Sequence, residues 1–253
     1  MPNIPNVYKW TKQVSIALMA ATFSSGMGIG ALSDANAWTP HHASSEIRPK
    51  GVNVYQQVTG DDLEEDRRHW DKVYSTSRSY IFGREPSRFL RDHVHRMGLG
   101  HALDIAMGEG RNAVFLAKRG FRVDGVDISK VALDKANRMA QENRVMIHTV
   151  AADLTSYPIK LGGYDVILNF DYFQRSLIPK IKRGLREGGY VIFENYILDQ
   201  LNNPEGENIS PDFLLRKNEL KELFNDFEIL VYQEVNDGRE AKARLLARKP
   251  SST

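Results

Sequence analysis

The sequence predicts an α/β domain: a doubly wound, mostly parallel seven-stranded sheet that finishes in a C-terminal antiparallel hairpin. Three observations carry this expectation. Short apolar runs alternate with segments of helical periodicity between residues 101 and 194, which is the pattern of βαβ units. The first run leads straight into a glycine turn, Met107-Gly-Glu-Gly110. Near the end of the chain two more runs flank Asn236-Asp-Gly-Arg239, and an Asp-Gly pair between strands marks a hairpin.

Taken in order, residues 101–107 form a short apolar run bounded by glycines, predicting a buried strand. Residues 111–119 follow as a helix, with Ala113, Leu116 and Ala117 at helical spacing and Gly120 closing it. Residues 121–127 predict a second strand, and Ser129 is placed to cap a helix through Asn143, whose Ala132, Ala136, Met139 and Ala140 share one face. Residues 145–151 predict a third strand. Residues 164–170 predict a fourth, and their continuous apolar character suits a sheet covered on both sides. A helix is expected from about Ser176 to Arg186, stopped by Gly188-Gly189, before a fifth strand over 190–194. After a short helix at 217–224, residues 227–234 and 241–248 supply the hairpin.

Composition narrows the function. The chain of 253 residues carries 34 basic and 32 acidic side chains, a formal net charge of +2. It lacks the basic excess that marks a nucleic-acid binder, so the expected partner is a small molecule. The absence of Cys excludes disulfides, thiolate nucleophiles and Cys-ligated metal centres. The 7 histidines show no metal-binding cluster, and His93-x-His95 reads as a solvated helix pair. No metal site is expected.

Residues 1–37 read as an address. Lys9 and Lys12 precede an uncharged stretch from Gln13 to Ser33, most apolar from Val14 to Phe23, and Ala35-Asn36-Ala37 supplies a small-x-small site. This order describes a secretory signal peptide, predicting cleavage after Ala37, an exported or periplasmic protein and no stable membrane association. An uncleaved anchor is the alternative, weakened by Ser24, Ser25, Gly26, Gly28 and Gly30. A non-functional extension on a cytoplasmic protein is another. Residues 38–62 read as a polar lead-in without periodicity, and residues 63–253 as the folded domain, with a helical cap over about 63–98.

The chemistry concentrates on one loop and three acids. Gly108 and Gly110 let the backbone turn tightly and let a ligand approach it, and the helix opening at Arg111 presents unbonded N–H groups. Asp127, at the end of the next strand, is placed to accept hydrogen bonds from both hydroxyls of a ribose. Asp104 lies four residues before Gly108, close to where a cationic amino-acid moiety would rest. Asp153-Leu154 follows the third strand, where a carboxylate can accept from an adenine amino group while a backbone N–H meets a ring nitrogen. Three acids at successive strand ends favour S-adenosyl-L-methionine over a nicotinamide dinucleotide.

Leu103–Asn112 together with Val123–Ser129 resembles the class I S-adenosylmethionine-dependent methyltransferases, and in particular the small bacterial tellurite-resistance and thiopurine-type group, where Gly-x-Gly-Arg-Asn is characteristic. Trp70-Asp-Lys-Val-Tyr74, Phe82-Gly-x-Glu-Pro86 and Phe89-Leu90 are similar to that group's N-terminal cap, and Leu185-x-x-Gly-Gly189, 211–215 and 244–249 to its later landmarks. The resemblance implies a Rossmann-like fold and carries cofactor contacts onto Trp70, Tyr74, Ala106, Arg111, Asn112, Ile128, Leu154 and Asn169, beside Asp104, Gly108, Gly110, Asp127 and Asp153. The chain departs from the group's pattern at Ala106 and Met107 in the loop, at Val73 in the cap and at Glu187 before the double glycine.

The expected activity is methyl transfer by direct displacement to a small acceptor, such as a thiol, selenium or tellurium species. Such a displacement needs positioning more than a catalytic triad. The acceptor is expected above the ends of strands four and five, with Tyr172, Arg175 and Glu194 as the contacting residues. Two other classes remain open: a methyltransferase-like module that binds cofactor without catalysis, and an NAD-dependent oxidoreductase, disfavoured by Asp153 and by the antiparallel end.

Overall fold

The computed structural model describes residues 60–251 apart from 205, 207 and 208, so the expected export segment and residues 38–59 lie outside the described residues. Seven strands form one sheet in the order β3-β2-β1-β4-β5-β7-β6. The strands are β1 (His101–Ile105), β2 (Arg122–Asp127), β3 (His148–Ala151), β4 (Tyr164–Phe170), β5 (Leu185–Tyr196), β6 (Glu228–Asn236) and β7 (Ala241–Arg248). The first five pair in parallel, and β7 runs antiparallel to both β5 and β6. The predicted seven-stranded sheet with its terminal hairpin is therefore present, with β7 inserted between β5 and β6.

The apolar runs earn their central places. Side chains alternate across a strand, so Leu103 and Ile105 of β1 join Ile167, Val191 and Phe193 on one face of the sheet. Ala102 joins Val166, Leu168 and Ile192 on the other. Helices α1 (Gly60–Ser75), α2 (Arg88–His93), α3 (Arg111–Ala117), α4 (Lys130–Glu142), α5 (Ile178–Gly184) and α6 (Glu219–Leu223) surround it. Ser129 caps α4 as expected, its hydroxyl oxygen accepting from Ala132 N–H at 3.1 Å.

Two boundaries differ from expectation for local reasons. The helix before β5 stops at Gly184, and Gly188-Gly189 lies inside β5. Gly188 has φ +72°, and a Cβ on Gly189 would stand 2.9 Å from the Arg186 carbonyl oxygen and 3.1 Å from that of Asp165. The pairing register of β4 and β5 shifts here, between Tyr164 and Val166. The glycines thus permit a bulge and a close strand approach, rather than ending a helix. β3 starts at His148 and not at Val145, because residues 143–145 still terminate α4. Arg144 adopts φ +56°, its N–H donates to Gln141 O at 3.0 Å and Val145 N–H donates to Ala140 O at 3.0 Å, which together form a Schellman cap.

Of the three positive-φ residues in the loop after β1, Ala106 and Gly110 have opposite chemistry. Ala106 has φ +51°, a conformation that costs a residue with a Cβ about 1–2 kcal/mol. Gly110 has φ +84°, and a Cβ there would come within 2.7 Å of Ala136 Cβ on α4. Two substitutions should therefore move stability in opposite directions. Ala106→Gly should stabilise by about 0.5–1 kcal/mol, once the backbone entropy of the new glycine is set against relieved strain. Gly110→Ala should destabilise by about 2–4 kcal/mol through strain and overpacking. Urea unfolding midpoints check both, and a stabilised Gly110→Ala would contradict the packing described.

Candidate functional site

A cleft of about 680 Å³ opens where the C-terminal ends of the parallel strands meet α1. This is the place where open α/β sheets bind ligands. Of the residues singled out in the sequence, Trp70, Tyr74, Asp104, Ala106, Gly108, Arg111, Asn112, Asp127, Ile128, Asp153, Leu154, Tyr172 and Glu194 line it.

Asp127, at the tip of β2, is buried and held from two sides. Gly108 N–H donates to its Oδ2 at 2.8 Å and Ser129 N–H to its Oδ1 at 2.9 Å. Burial raises its pKa to about 6, against the lowering effect of these backbone donors. Each oxygen keeps a further lone pair for a ligand. Gly108 has φ +54°, and a Cβ there would stand 2.9 Å from the Tyr74 hydroxyl, so the glycine lets that phenol reach the loop. Tyr74 stacks on Trp70 at 5.8 Å and meets Phe82 edge-on at 5.8 Å, making an aromatic wall on the cap side.

Asp104 stands apart. It is 2% exposed, and its Oδ2 has no hydrogen-bond partner among the described residues. Burial pushes its pKa up to about 7, while the positive charge of Arg111 works against the rise. Arg111 itself reaches Phe82 O at 3.3 Å and Asp171 Oδ2 at 3.3 Å. Asn112 is engaged structurally, accepting from Ser87 N–H at 2.9 Å through Oδ1. Asp153 accepts from Thr155 N–H at 3.1 Å and from the Thr155 hydroxyl, which fixes its orientation at the rim.

Three expected site residues do not line the cleft. Gly110 serves the contact of its loop with Ala136. Asn169 is 1% exposed within β4. Arg175 is the clearest correction. Its Nε donates to Glu219 Oε1 at 2.7 Å and its Nη2 to Glu219 Oε2 at 2.8 Å, with further bonds to the carbonyls of Asp212 and Leu214. Against burial, this pairing holds the Glu219 carboxyl down at about 2. A guanidinium spent on clamping residues 212–219 to the loop after β4 is not placed to receive an acceptor.

Tyr172 donates to Gln174 Oε1 at 2.8 Å. Burial, followed by the nearby charges of Asp153, Asp66 and Asp127, pushes its hydroxyl far above the ordinary tyrosine range. It stays protonated and acts as a donor, not a base. Glu194 accepts from Arg244 Nε at 2.6 Å.

Sequence reasoning missed the basic side of this cleft. Lys242 and Arg244 on β7 both line it, and Lys242 Nζ lies 2.9 Å from Asp171 Oδ1. Burial alone would lower the Lys242 pKa, but Asp171, Tyr196, Glu194 and Glu240 raise it well above the usual value. The signal was two basic residues spaced by two in Ala241-Lys-Ala-Arg-Leu245, hence on one face of a strand. The buried pair Glu109–Lys135, 2.8 Å apart, left no comparable trace. Among the described residues, no group of three or more His, Asp or Glu is arranged to hold a metal ion.

Comparison with known proteins agrees with this geometry. Residues 102–189 match the family described as a methyltransferase domain. The chain is 29% identical over 136 residues to the probable S-adenosyl-L-methionine-dependent methyltransferase TehB of Haemophilus influenzae, covering 52% of this chain and 47% of TehB. It thus spans about half the length of that curated relative. The TehB crystal structure superposes with a TM-score of 0.56 at 24% identity, covering 72% of this chain and 66% of TehB. Hemagglutinin 1 of Eikenella corrodens is 25% identical over 210 residues, 79% of this chain and 65% of that protein. Geranyl diphosphate C-methyltransferase of Streptomyces coelicolor A3(2), solved with Mg2+, geranyl diphosphate and S-adenosyl-L-homocysteine, shares the fold with a TM-score of 0.56 at 17% identity, over 74% of this chain and 97% of that one. Residues 102–189 thus match a methyltransferase domain, and the chain as a whole is similar in sequence and fold to class I S-adenosylmethionine-dependent methyltransferases.

Proposed function

We propose that the protein binds S-adenosylmethionine in this cleft and transfers its methyl group to a small-molecule acceptor. The observation that carries the reading is Asp104, a buried carboxylate lining the cleft with one oxygen left without a partner. Unpaired buried polar atoms are rare enough to need a reason. An ammonium group of an amino-acid moiety supplies one, since it would pair with this oxygen and offset the cost of burying the charge. The remaining residues fit the same group. Asp127 is oriented to accept from two ribose hydroxyls, and Asp153 from an adenine amino group. Ile128 and Leu154 supply apolar walls, and Trp70 and Tyr74 exclude water from the cap side. When bound, the cofactor supplies a sulfonium methyl: an acceptor lone pair forms the new bond to carbon while the old bond pair stays on sulfur. The protein's part is then to align the acceptor and keep the site dry. Tyr172, held protonated with its O–H on Gln174 Oε1, helps to wall the acceptor side.

Calorimetric titration with S-adenosylhomocysteine and with NAD separates this reading from an oxidoreductase. The first should bind and the second should not. Asp127→Ala should weaken S-adenosylhomocysteine binding by about 1.5–3 kcal/mol, the range for hydrogen bonds to a charged group. Unchanged affinity in the folded variant would remove Asp127 from the site. A methyl-transfer screen across small thiols, selenium and tellurium oxyanions, peptides and RNA tests the acceptor class. Turnover confined to RNA or protein would refute the small-molecule reading, and cofactor binding without any turnover would leave a binding module.

A pH dependence follows from the same two acids. Burial holds Asp104 at about 7 and Asp127 at about 6, above the ordinary aspartate value of about 4. Both take up protons on folding in that interval, so the ligand-free protein should lose stability as pH rises from about 4 to about 7. A ligand ammonium needs Asp104 ionised. S-adenosylhomocysteine should therefore raise the Tm more at about pH 8 than at about pH 5.5, and Asp104→Asn should remove most of that difference. Thermal scans at several pH values check it; a ligand-induced shift that is the same throughout would contradict the assignment.

We also propose that the protein is exported, on the order of Lys9 and Lys12, the uncharged stretch and Ala35-Asn36-Ala37. Mass spectrometry of the protein from its native host should find Trp38 as the first residue. A soluble cytoplasmic species beginning at Met1 would overturn the export and leave the methyltransferase reading intact.

A further inference from the structure

The cleft extends from Asp127 across the sheet as far as β7. In the sheet order, β7 lies beyond β4 and β5 from Asp127, and there the cleft is walled by cross-strand neighbours. Glu194 pairs with Arg244 and Tyr196 with Lys242. Lys242 Nζ is 2.9 Å from Asp171, 3.4 Å from Glu240 and 3.6 Å from Glu194, with its side chain only 8% exposed. It also sits 4.4 Å over the Tyr196 ring. Three carboxylates and three cations (Arg111, Lys242 and Arg244) therefore balance in formal charge.

The three carboxylates are not equivalent. Asp171 is shared with Arg111 at 3.3 Å, and Glu194 with Arg244 at 2.6 Å. Glu240 has Lys242 as its sole cation among the described ion pairs, and at 38% side-chain exposure it is the most solvated of the three. It sits on the β6–β7 turn and accepts from the Tyr196 hydroxyl at 2.9 Å. Glu240 is thus a carboxylate seated between a phenol donor and a buried ammonium, and the easiest of the three to move into water. If it swings out, the cluster is left with one uncompensated positive charge beside the cleft. A second hollow of about 430 Å³ shares Arg88, Glu240, Lys242 and Arg244 with the main cleft.

We propose that the methyl acceptor carries a carboxylate group, which takes the place of the Glu240 carboxylate against Tyr196 Oη and Lys242 Nζ, with Arg244 beside it as the second cation. The inference rests on the methyltransferase reading above and names the substrate class for that site. Glu240 is then a built-in occupant of the acceptor's anion position, and the acceptor must displace it.

The test uses protein saturated with S-adenosylhomocysteine, titrated by calorimetry with 3-mercaptopropionate and 2-mercaptobenzoate, each against its neutral amide. The acids should bind about tenfold or more tightly than the amides, the worth of one charge-assisted hydrogen bond. Glu240→Gln should tighten acid binding severalfold, because it removes the internal competitor while keeping an acceptor for Tyr196. Lys242→Met should weaken it about tenfold or more. S-adenosylhomocysteine binding by each variant reports that it folds; if Lys242→Met fails that control, the Glu240→Gln result decides. Equal binding of acids and amides, weaker acid binding by Glu240→Gln, or no acid binding by cofactor-loaded wild type would each overturn the inference while sparing the methyltransferase reading. Failure of the wild type to bind S-adenosylhomocysteine would overturn both.

Discussion

Ser129 joins the scaffold to the site through three hydrogen bonds. Its oxygen caps α4 by accepting from Ala132 N–H, its N–H holds Asp127 Oδ1, and its hydroxyl donates to Asp71 Oδ1 on α1 at 2.7 Å. Asp71 also accepts from Val131 N–H at 3.2 Å, so the cap helix is tied to the first turn of α4. Ser129 has no exposed surface, and in such a setting an unmade bond costs about 1–3 kcal/mol. The position of α1 over the cleft and the direction of the Asp127 carboxylate therefore meet at one residue, the first through its hydroxyl and the second through its backbone N–H. Moving either would disturb the other.

Burial of charge is the second constraint, and how each charge is paired separates support from function. Glu109 meets Lys135 at 2.8 Å and accepts from Phe82 N–H at 3.1 Å, while Lys135 also donates to Ser79 O at 2.9 Å. That network is closed and holds the cap segment against the glycine loop. Arg175 and Glu219 likewise satisfy one another. Asp104 is different, because its Oδ2 has no hydrogen-bond partner among the described residues. Burial therefore disfavours its ionised form and raises its pKa to about 7, with only the nearby positive charge of Arg111 opposing the rise.

The loop after β1 shows how a departure from the pattern of the methyltransferases it resembles is absorbed. Met107 is bulkier than the usual residue, and its sulfur lies over Gly125 of β2, where any Cβ would overlap it. Ala106 accepts a left-handed backbone that a glycine would take without strain. Both residues are accommodated within the loop, and Gly108 N–H keeps its bond to Asp127.

The sequence by itself determined the parallel sheet, the terminal hairpin, and the loop with Asp104, Gly108 and Asp127 around it, because these depend on short-range signals. Apolar runs of strand length, an N-cap serine and an Asp-Gly turn act within a few residues of themselves. The cleft's acids sit at strand ends, and strand order is enough to bring those ends together. What only the tertiary structure decided is which charges meet. Arg175 and Glu219 lie 44 positions apart and bind each other, which removes Arg175 from the cleft. Lys242 and Asp171 lie 71 positions apart and meet at 2.9 Å, which puts a lysine there instead. The double glycine of β5 likewise took its meaning from the carbonyls of Tyr164 and Asp165 on β4. A charged side chain or a glycine is compatible with many surroundings, and local sequence holds no record of the partner that a distant strand will place beside it.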